Sequence, residues 1–266
     1  MPADDVLPTY AFGDGSLPAR RLALVADVFE PPSRGFLEDR APEAPGVALD
    51  LGCGPGFSTR LVADVTGAHR TIGLDASDDY LGRAREQARA GIEFVRHDVT
   101  ELPLPQAPVD LIFARLVLAH LRHPVHHLRA WATQLAPGGR LLVDENESIE
   151  TANPVLARYE QMVTEVVATR GANIHAGPVV AEVTGGEGWR RVASEVRTWP
   201  VPEPQAARMF AMNLATWRAD PLATARYAPA ALDELAAALD DLSSSDSTGA
   251  VVWRIRQVAF ERSPRP

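Results

Sequence analysis

The stretch that most constrains this chain is VALDLGCGPGFST, residues 47–59. Val47, Ala48, Leu49 and Leu51 form an apolar run long enough for one buried strand, with Asp50 near its end. Gly52, Gly54 and Gly56 follow at once, and FSTRLVADV after them reads as a helix. Strand, glycine-rich turn and helix build a ligand pocket at the carboxyl edge of a doubly wound sheet. The glycines let a ligand lie against backbone where a Cβ would block it. The spacing Gly52-x-Gly54-x-Gly56 is not the dinucleotide fingerprint, and no Lys-Ser/Thr pair follows, so it is not a P-loop either. Asp50 at the strand end would repel a phosphate and suits a cationic, amine-bearing ligand.

The following segments repeat the strand-then-helix rhythm, which predicts an α/β fold. TIGLDAS predicts a second strand ending at Asp75, with Ala76 beside it. Asp75 lies about 20 residues beyond the glycine turn, the place from which a carboxylate accepts both hydroxyls of a ribose. IEFVRHDV predicts a third strand with His97, Asp98 and Val99 at its end. VDLIFAR predicts a fourth, Arg115 standing at its tip, and LLVDENES a fifth that ends in Asp144, Glu145 and Asn146, after a Pro-Gly-Gly turn. Upstream, residues 1–18 predict an arm, and apolar positions Leu22, Val25, Val28 and Phe29 predict a helix over 19–30, ended by Pro31 and Pro32. A second short helix is expected over 33–39.

LDLGCGPGFST, with an acidic residue just beyond each of three strands, resembles motif I and its companions in the class I S-adenosylmethionine-dependent methyltransferases of the small-molecule type. The likeness runs from about Tyr10 to Glu145. It implies a Rossmann-like, doubly wound seven-stranded sheet, mostly parallel with an antiparallel C-terminal edge hairpin. It also implies an N-terminal helical cap and an inserted helical lid. On that basis the chain is expected to be a single domain, 1–266, with the cap at 1–40, the cofactor-binding core at 41–150, the lid at 151–185 and the rest of the sheet and helices at 186–266. The implied cofactor is S-adenosyl-L-methionine, leaving S-adenosyl-L-homocysteine as product. Tyr10 would stack on or hydrogen-bond the ligand and Arg21 would pair with its carboxylate; packing on the core and a solvated helix face are the alternatives. Asp50, Gly52, Cys53, Gly54, Asp75 and Ala76 would surround the amino acid and ribose. Asp98 would take the adenine amine, the Val99 amide a ring nitrogen, and Arg115 would stand beside the reactive methyl.

Past Glu145 the likeness becomes general. TANPVLARYEQMVTEVVATRG predicts an amphipathic helix with Val155, Tyr159, Met162, Val163 and Val166 in one stripe, read either as sheet packing or as a lid over an acceptor. Tyr159, His175 and Asn146 are the expected acceptor-binding residues. Glu145 and His120 are the expected general bases, needed only if the acceptor must lose a proton. His120, His123, His126 and His127 cluster, but Pro124 interrupts them and no HExxH is present, so no metal is expected. A net charge of −9, with Arg far outnumbering Lys, argues against a nucleic-acid substrate. The lone cysteine, Cys53, and an N-terminus without signal-peptide character set an expectation of cytoplasmic location, and no apolar stretch is long enough for a membrane span. The expected function is methyl transfer to a small-molecule acceptor, a metabolite or natural-product scaffold. A cofactor-binding regulatory module without chemistry, or an NAD-dependent oxidoreductase, stand as alternatives. Oligomeric state is not legible.

Overall fold

A computed structural model describes residues 16–264, with side chains from Arg20 onward; Tyr10 and most of the expected arm lie outside the described residues. Helix α1 (Ser16–Arg40) leads into β1 (Val47–Leu51), α2 (Phe57–Thr66), β2 (Arg70–Asp75), α3 (Asp78–Glu86), β3 (Ile92–Arg96) and β4 (Val109–Arg115). Then come α4 (Pro124–Ala132), β5 (Leu135–Glu150), α5 (Pro154–Thr169), α6 (Gly177–Ala181), β6 (Gly185–Gly186), β7 (Trp189–Pro202), α7 (Glu203–Trp217), α8 (Pro221–Arg226), α9 (Pro229–Ser243) and β8 (Ala250–Arg262). One sheet runs β3-β2-β1-β4-β5-β8-β7-β6. Its first five strands are parallel, and β8, β7 and β6 continue it antiparallel. Strand order reverses between β1 and β4, and the crevice outside the carboxyl ends at such a switch point is where ligands bind in sheets of this kind.

The sheet therefore has eight strands, not seven. The extra one is the two-residue β6, which folds back on Trp189 and Arg190. Two glycines carry no strand signal, and Gly186 is tolerated because any Cβ there would strike the Trp189 indole at 2.6 Å. The Pro-Gly-Gly segment is drawn into the start of β5, where the ladder slips its register between Val109 and Leu111 to absorb it.

Pro31 and Pro32 do not end the first helix; α1 passes through both. Packing on each side overrides the missing N–H groups. Val25, Val28 and Phe29 bury in a core shared with α5, α7, α9 and β8, while Phe36 and Leu37 bury against α2, β1 and β4. Between these anchors the Pro32 carbonyl accepts from Gln257 Nε2 at 3.0 Å, and Ser33 Oγ donates to Asp144 at 2.6 Å.

The closest packing beneath the glycine turn is at Gly73 on β2. A Cβ there would meet Thr59 Oγ1 at 2.6 Å, Phe94 Cδ1 at 2.8 Å and Cys53 Sγ at 2.9 Å, three groups from separate elements. Gly73→Val should lower stability by about 1–3 kcal/mol, the usual cost of overpacking. Urea unfolding checks this, and an unchanged midpoint would show that α2 and β3 yield at no cost.

Candidate active site

The carboxyl ends of β1, β2, β3, β4 and β5 surround a cavity of about 470 Å³, roofed by α1, α5 and α7. Such a volume is ordinary for a small-molecule site. Gly52, Cys53 and Gly54 form its floor, and Asp75, Ala76, Asp98 and Val99 one end. Arg115 and Leu116 lie at the middle, and Asn146, Tyr159, Phe210 and Trp253 at the other end.

The three glycines of the turn serve different masters. All have positive φ, 63°, 52° and 83° in order. At Gly52 a Cβ would strike Val117 at 2.8 Å, and at Gly56 it would strike the Phe94 ring at 2.7 Å, so both are required by the protein's own packing. At Gly54 the nearest atom is Leu22 Cδ1 at an ordinary 3.5 Å. Gly54 is thus the glycine whose missing side chain leaves room in the cavity.

Acidic groups tie the strand ends together. Asp75 accepts from the Gly54 N–H at 2.8 Å and the Ser77 N–H at 2.8 Å, holding the glycine turn to β2 while still lining the cavity. Asp98 accepts from the Thr100 N–H and hydroxyl at 2.9 and 2.7 Å, and Trp131 Nε1 donates to the Val99 carbonyl at 2.7 Å, fixing the loop after β3. Cys53 lines the cavity with its N–H bonded to the Leu74 carbonyl, and burial raises its thiol well above the usual range.

Three of the expected site residues sit elsewhere. Asp50 does not line the cavity. Its carboxylate turns under the turn and accepts from Ser58 Oγ and Thr59 Oγ1, both at 2.7 Å, and burial raises its pKa to about 6. Its negative charge acts on Arg115, Asp75 and Cys53 of the cavity wall. His175 also stays out of the lining; its Nε2 bonds Glu160 at 2.6 Å, and Ile174 faces the cavity in its place.

Glu145 is the largest correction. It is fully buried and accepts from the Val117 N–H at 2.8 Å and the Leu118 N–H at 2.7 Å. Just before these residues Leu116 adopts a left-handed φ of 56°, a conformation that costs a non-glycine residue about 1–3 kcal/mol and persists only where its surroundings enforce it. Glu145 is part of that enforcement. It holds the turn that leads into a single 3-10 turn, Leu118–His120, and so sets His120 on the cavity wall.

His120 is half-buried in the lining, and desolvation, with the Arg21 charge second, lowers its pKa to about 4. Its ring is neutral at pH 7 and holds a proton poorly. Tyr159 accepts a hydrogen bond from Asn213 Nδ2, and burial raises its hydroxyl above the usual range. Arg21 and Arg115 are the two guanidinium groups lining the cavity among the described residues. Arg115 feels Asp144 first and Asp50 second, both opposing the effect of burial on it. Among the described residues no cluster of His, Cys, Asp and Glu could hold a metal ion, and no helix is long and apolar enough to cross a membrane.

Glu160, Phe210, Asn213 and Trp253 also line the cavity without having been singled out from sequence, and Leu22 and Phe29 were read there only as part of a helical stripe. A signal for one was present: Val251, Trp253 and Ile255 alternate on β8 and all bury in the core shared with α1, α5 and α7.

Burial raises the pKa of Glu145 from 4.5 to about 8. An acid whose folded pKa is raised binds more protons folded than unfolded across that window, so its contribution to stability falls as pH rises from about 4.5 to about 8. Relative to Glu145→Gln, the native protein should lose stability between pH 5 and pH 8 in urea titrations. A stability difference that does not vary with pH would rule out this ionisation.

The comparisons with known proteins follow this geometry. The family described as "Methyltransferase domain" matches residues 48–139, from β1 to the start of β5. A trans-aconitate 2-methyltransferase of Methylobacterium nodulans is 40% identical over 43% of this chain and 44% of its own length. The chain thus spans less than half the length of that curated relative. An S-adenosylmethionine-dependent methyltransferase structure from Mesorhizobium loti shares the fold at TM-score 0.50, with 23% identity over 90% of this chain and all of the other. So does the phospholethanolamine N-methyltransferase 2 of Haemonchus contortus, solved with phosphomonomethylethanolamine and S-adenosylhomocysteine, at TM-score 0.53 and 17% identity over 92% of this chain and 58% of the other.

Proposed function

We propose, from the premise that residues 48–139 are a methyltransferase domain on a class I core, that this chain transfers the methyl group of S-adenosylmethionine to a small-molecule acceptor. The observation that carries the reading is the convergence of the glycine turn, Asp75 and the Asp98–Val99 loop on one cavity that extends past Arg115 to a second, apolar end.

The residues fit the cofactor. Gly54 leaves its backbone open to the cavity, and Asp75, held by the Gly54 and Ser77 N–H groups, lines the cavity where a ribose diol would lie. Asp98 and the Val99 amide stand at the next strand end for an adenine edge, and Arg115 at the tip of β4 suits the amino-acid carboxylate. When bound, the cofactor supplies a methyl group already activated by the positive charge on its sulfur.

The protein's own work is then positional. The floor at Gly52–Gly54 and the roof from α1, α5 and α7 would hold the donor and the acceptor in one cavity. Alignment of reactants can be worth up to ~7–11 kcal/mol. Glu145 acts as a positioning residue through the turn at Leu116, not as a base, because it is turned away from the cavity. The acceptor fits the small-molecule class because it must bind within a cavity of about 470 Å³. The oxidoreductase alternative is set aside on the glycine spacing.

Calorimetry tests the reading. The protein should bind S-adenosylhomocysteine and not NAD, and Asp75→Ala should weaken that binding by about 1.5–3 kcal/mol, the range for a hydrogen bond to a charged group. Binding of NAD instead, or unchanged affinity in the variant, would overturn it.

A further inference from the structure

We infer that the acceptor is an uncharged aromatic molecule bearing an O–H or N–H group, its rings against Phe29, Tyr159, Phe210 and Trp253, and that Glu160 beside this wall turns anionic analogues away. The inference rests on the methyltransferase reading above and names its substrate class.

The far end of the cavity is a continuous aromatic wall. Tyr159 stacks on Phe210 at 4.1 Å between ring centroids, Phe210 meets Trp253 at 5.7 Å, and Trp253 meets Phe29 edge-on at 5.9 Å. Val163, Ile174 and Met209 line the cavity with them and pack into the same core. A wall of this kind binds by removing apolar surface from water, and aromatic rings add directional contacts with other rings.

Charges of both signs line the cavity. Among the described residues, Asp75, Asp98 and Glu160 stand against Arg21 and Arg115. Arg21 already has an interaction partner within the chain, and Arg115 feels Asp144 and Asp50. Residues 1–15 contain Asp4, Asp5 and Asp14 and no Lys, Arg or His, so that segment adds no basic side chain wherever it lies. Positive charge is therefore not in excess over the lining. A tricarboxylate would bring three further negative charges into it and leave them poorly compensated as they lose water, a heavy cost.

Glu160 sharpens this selection at the aromatic end. It follows Tyr159 on α5, and its charge acts on the Tyr159 hydroxyl. His175 Nε2 lies 2.6 Å from its Oε1, and Thr164 Oγ1 donates to the same oxygen at 3.1 Å, so the carboxylate is held in place. An anionic group entering here meets a like charge, and the faces of the rings beside it are themselves negative.

Two amides complete this end. Asn146 and Asn213 line the cavity, each is 8% exposed, and the Oδ1 of each is without a hydrogen-bond partner among the described residues. An unmatched buried acceptor is costly until a donor reaches it. A carboxylate only accepts hydrogen bonds, whereas a hydroxyl or an N–H donates. Rings, the lack of an anionic group and one donor are thus three demands made by different residues on the same molecule.

The test uses protein saturated with S-adenosylhomocysteine and calorimetric titration at pH 7. The probes are indole, 2-naphthol and 4-phenylphenol, their carboxylates indole-3-acetate, 2-naphthoate and biphenyl-4-carboxylate, and trans-aconitate. At least one neutral probe should bind, its carboxylate counterpart about tenfold more weakly or worse, and trans-aconitate more weakly than the neutral probe. Glu160→Gln should narrow the gap between that probe and its carboxylate about threefold or more, a change that a merely structural Glu160 would not produce. Phe210→Leu should weaken the neutral probe about fivefold while S-adenosylhomocysteine affinity stays within about twofold, and Ile174→Asn repeats the measurement at a half-buried position if Phe210→Leu fails to fold. The inference is overturned if no neutral probe binds, if a carboxylate matches its neutral counterpart, if trans-aconitate binds best, if Glu160→Gln leaves the gap unchanged, or if the folded wall variants keep native affinity for the probe. Failure of the native protein to bind S-adenosylhomocysteine at all would instead overturn the methyltransferase reading.

Discussion

The site depends on buried and half-buried carboxylates at the ends of the parallel strands that are spent on the protein itself. Asp50 fastens the first turn of α2, Asp75 clasps the glycine turn to β2, Asp144 receives Ser33 from α1, and Glu145 holds the turn after β4. Each would be costly if left unpaired in the interior. Each is matched by hydroxyl or N–H donors, so that cost becomes a demand for one geometry. The loops of a parallel sheet have no cross-strand ladder of their own, and these side-chain bonds take its place. Asp75 does this while keeping a face to the cavity, which makes it both a brace and a candidate ligand contact.

Much of this was legible because parallel strands buried on both faces read as short apolar runs, and the residues after each run fall at one edge by topology. Gly52, Gly54, Asp75, Asp98, Val99 and Arg115 were therefore placed on the cavity from sequence. Asp50 and Glu145 reach the same edge without lining the cavity, for a related reason. Strand position says which edge a residue reaches but not which way its carboxylate turns, and both turned inward to local donors. The helix through Pro31 and Pro32 was missed because local rules register two lost N–H groups, while the anchors that outweigh them lie in two distant cores. The aromatic wall was illegible because Phe29, Tyr159, Phe210 and Trp253 come from four elements whose proximity no local pattern encodes.

The division between the two ends of the cavity also follows the division of likeness. The glycine turn and the loops after β2 and β3 fall within residues 48–139, whereas Asn146, Tyr159, Phe210 and Trp253 lie beyond that segment. A shared fold carries many chemistries through changes at the site alone. What this chain shares with the matched family is thus the glycine-turn end of the cavity, and the aromatic end lies outside the matched segment.

The pairing of Phe29 with Trp253 joins the first described helix to the last strand, across most of the polypeptide. By contrast the glycine turn, Asp75 and Asp98 belong to successive strand-helix units whose contacts close over short stretches of chain. Contacts between distant segments come at a greater entropic cost and tend to be made late. The cavity is accordingly assembled in two stages of unequal reach. The glycine-turn end takes shape from neighbouring segments, and the aromatic wall exists only once β8 has threaded beside β5, so that wall is the part of the cavity whose formation reports that the whole chain has folded.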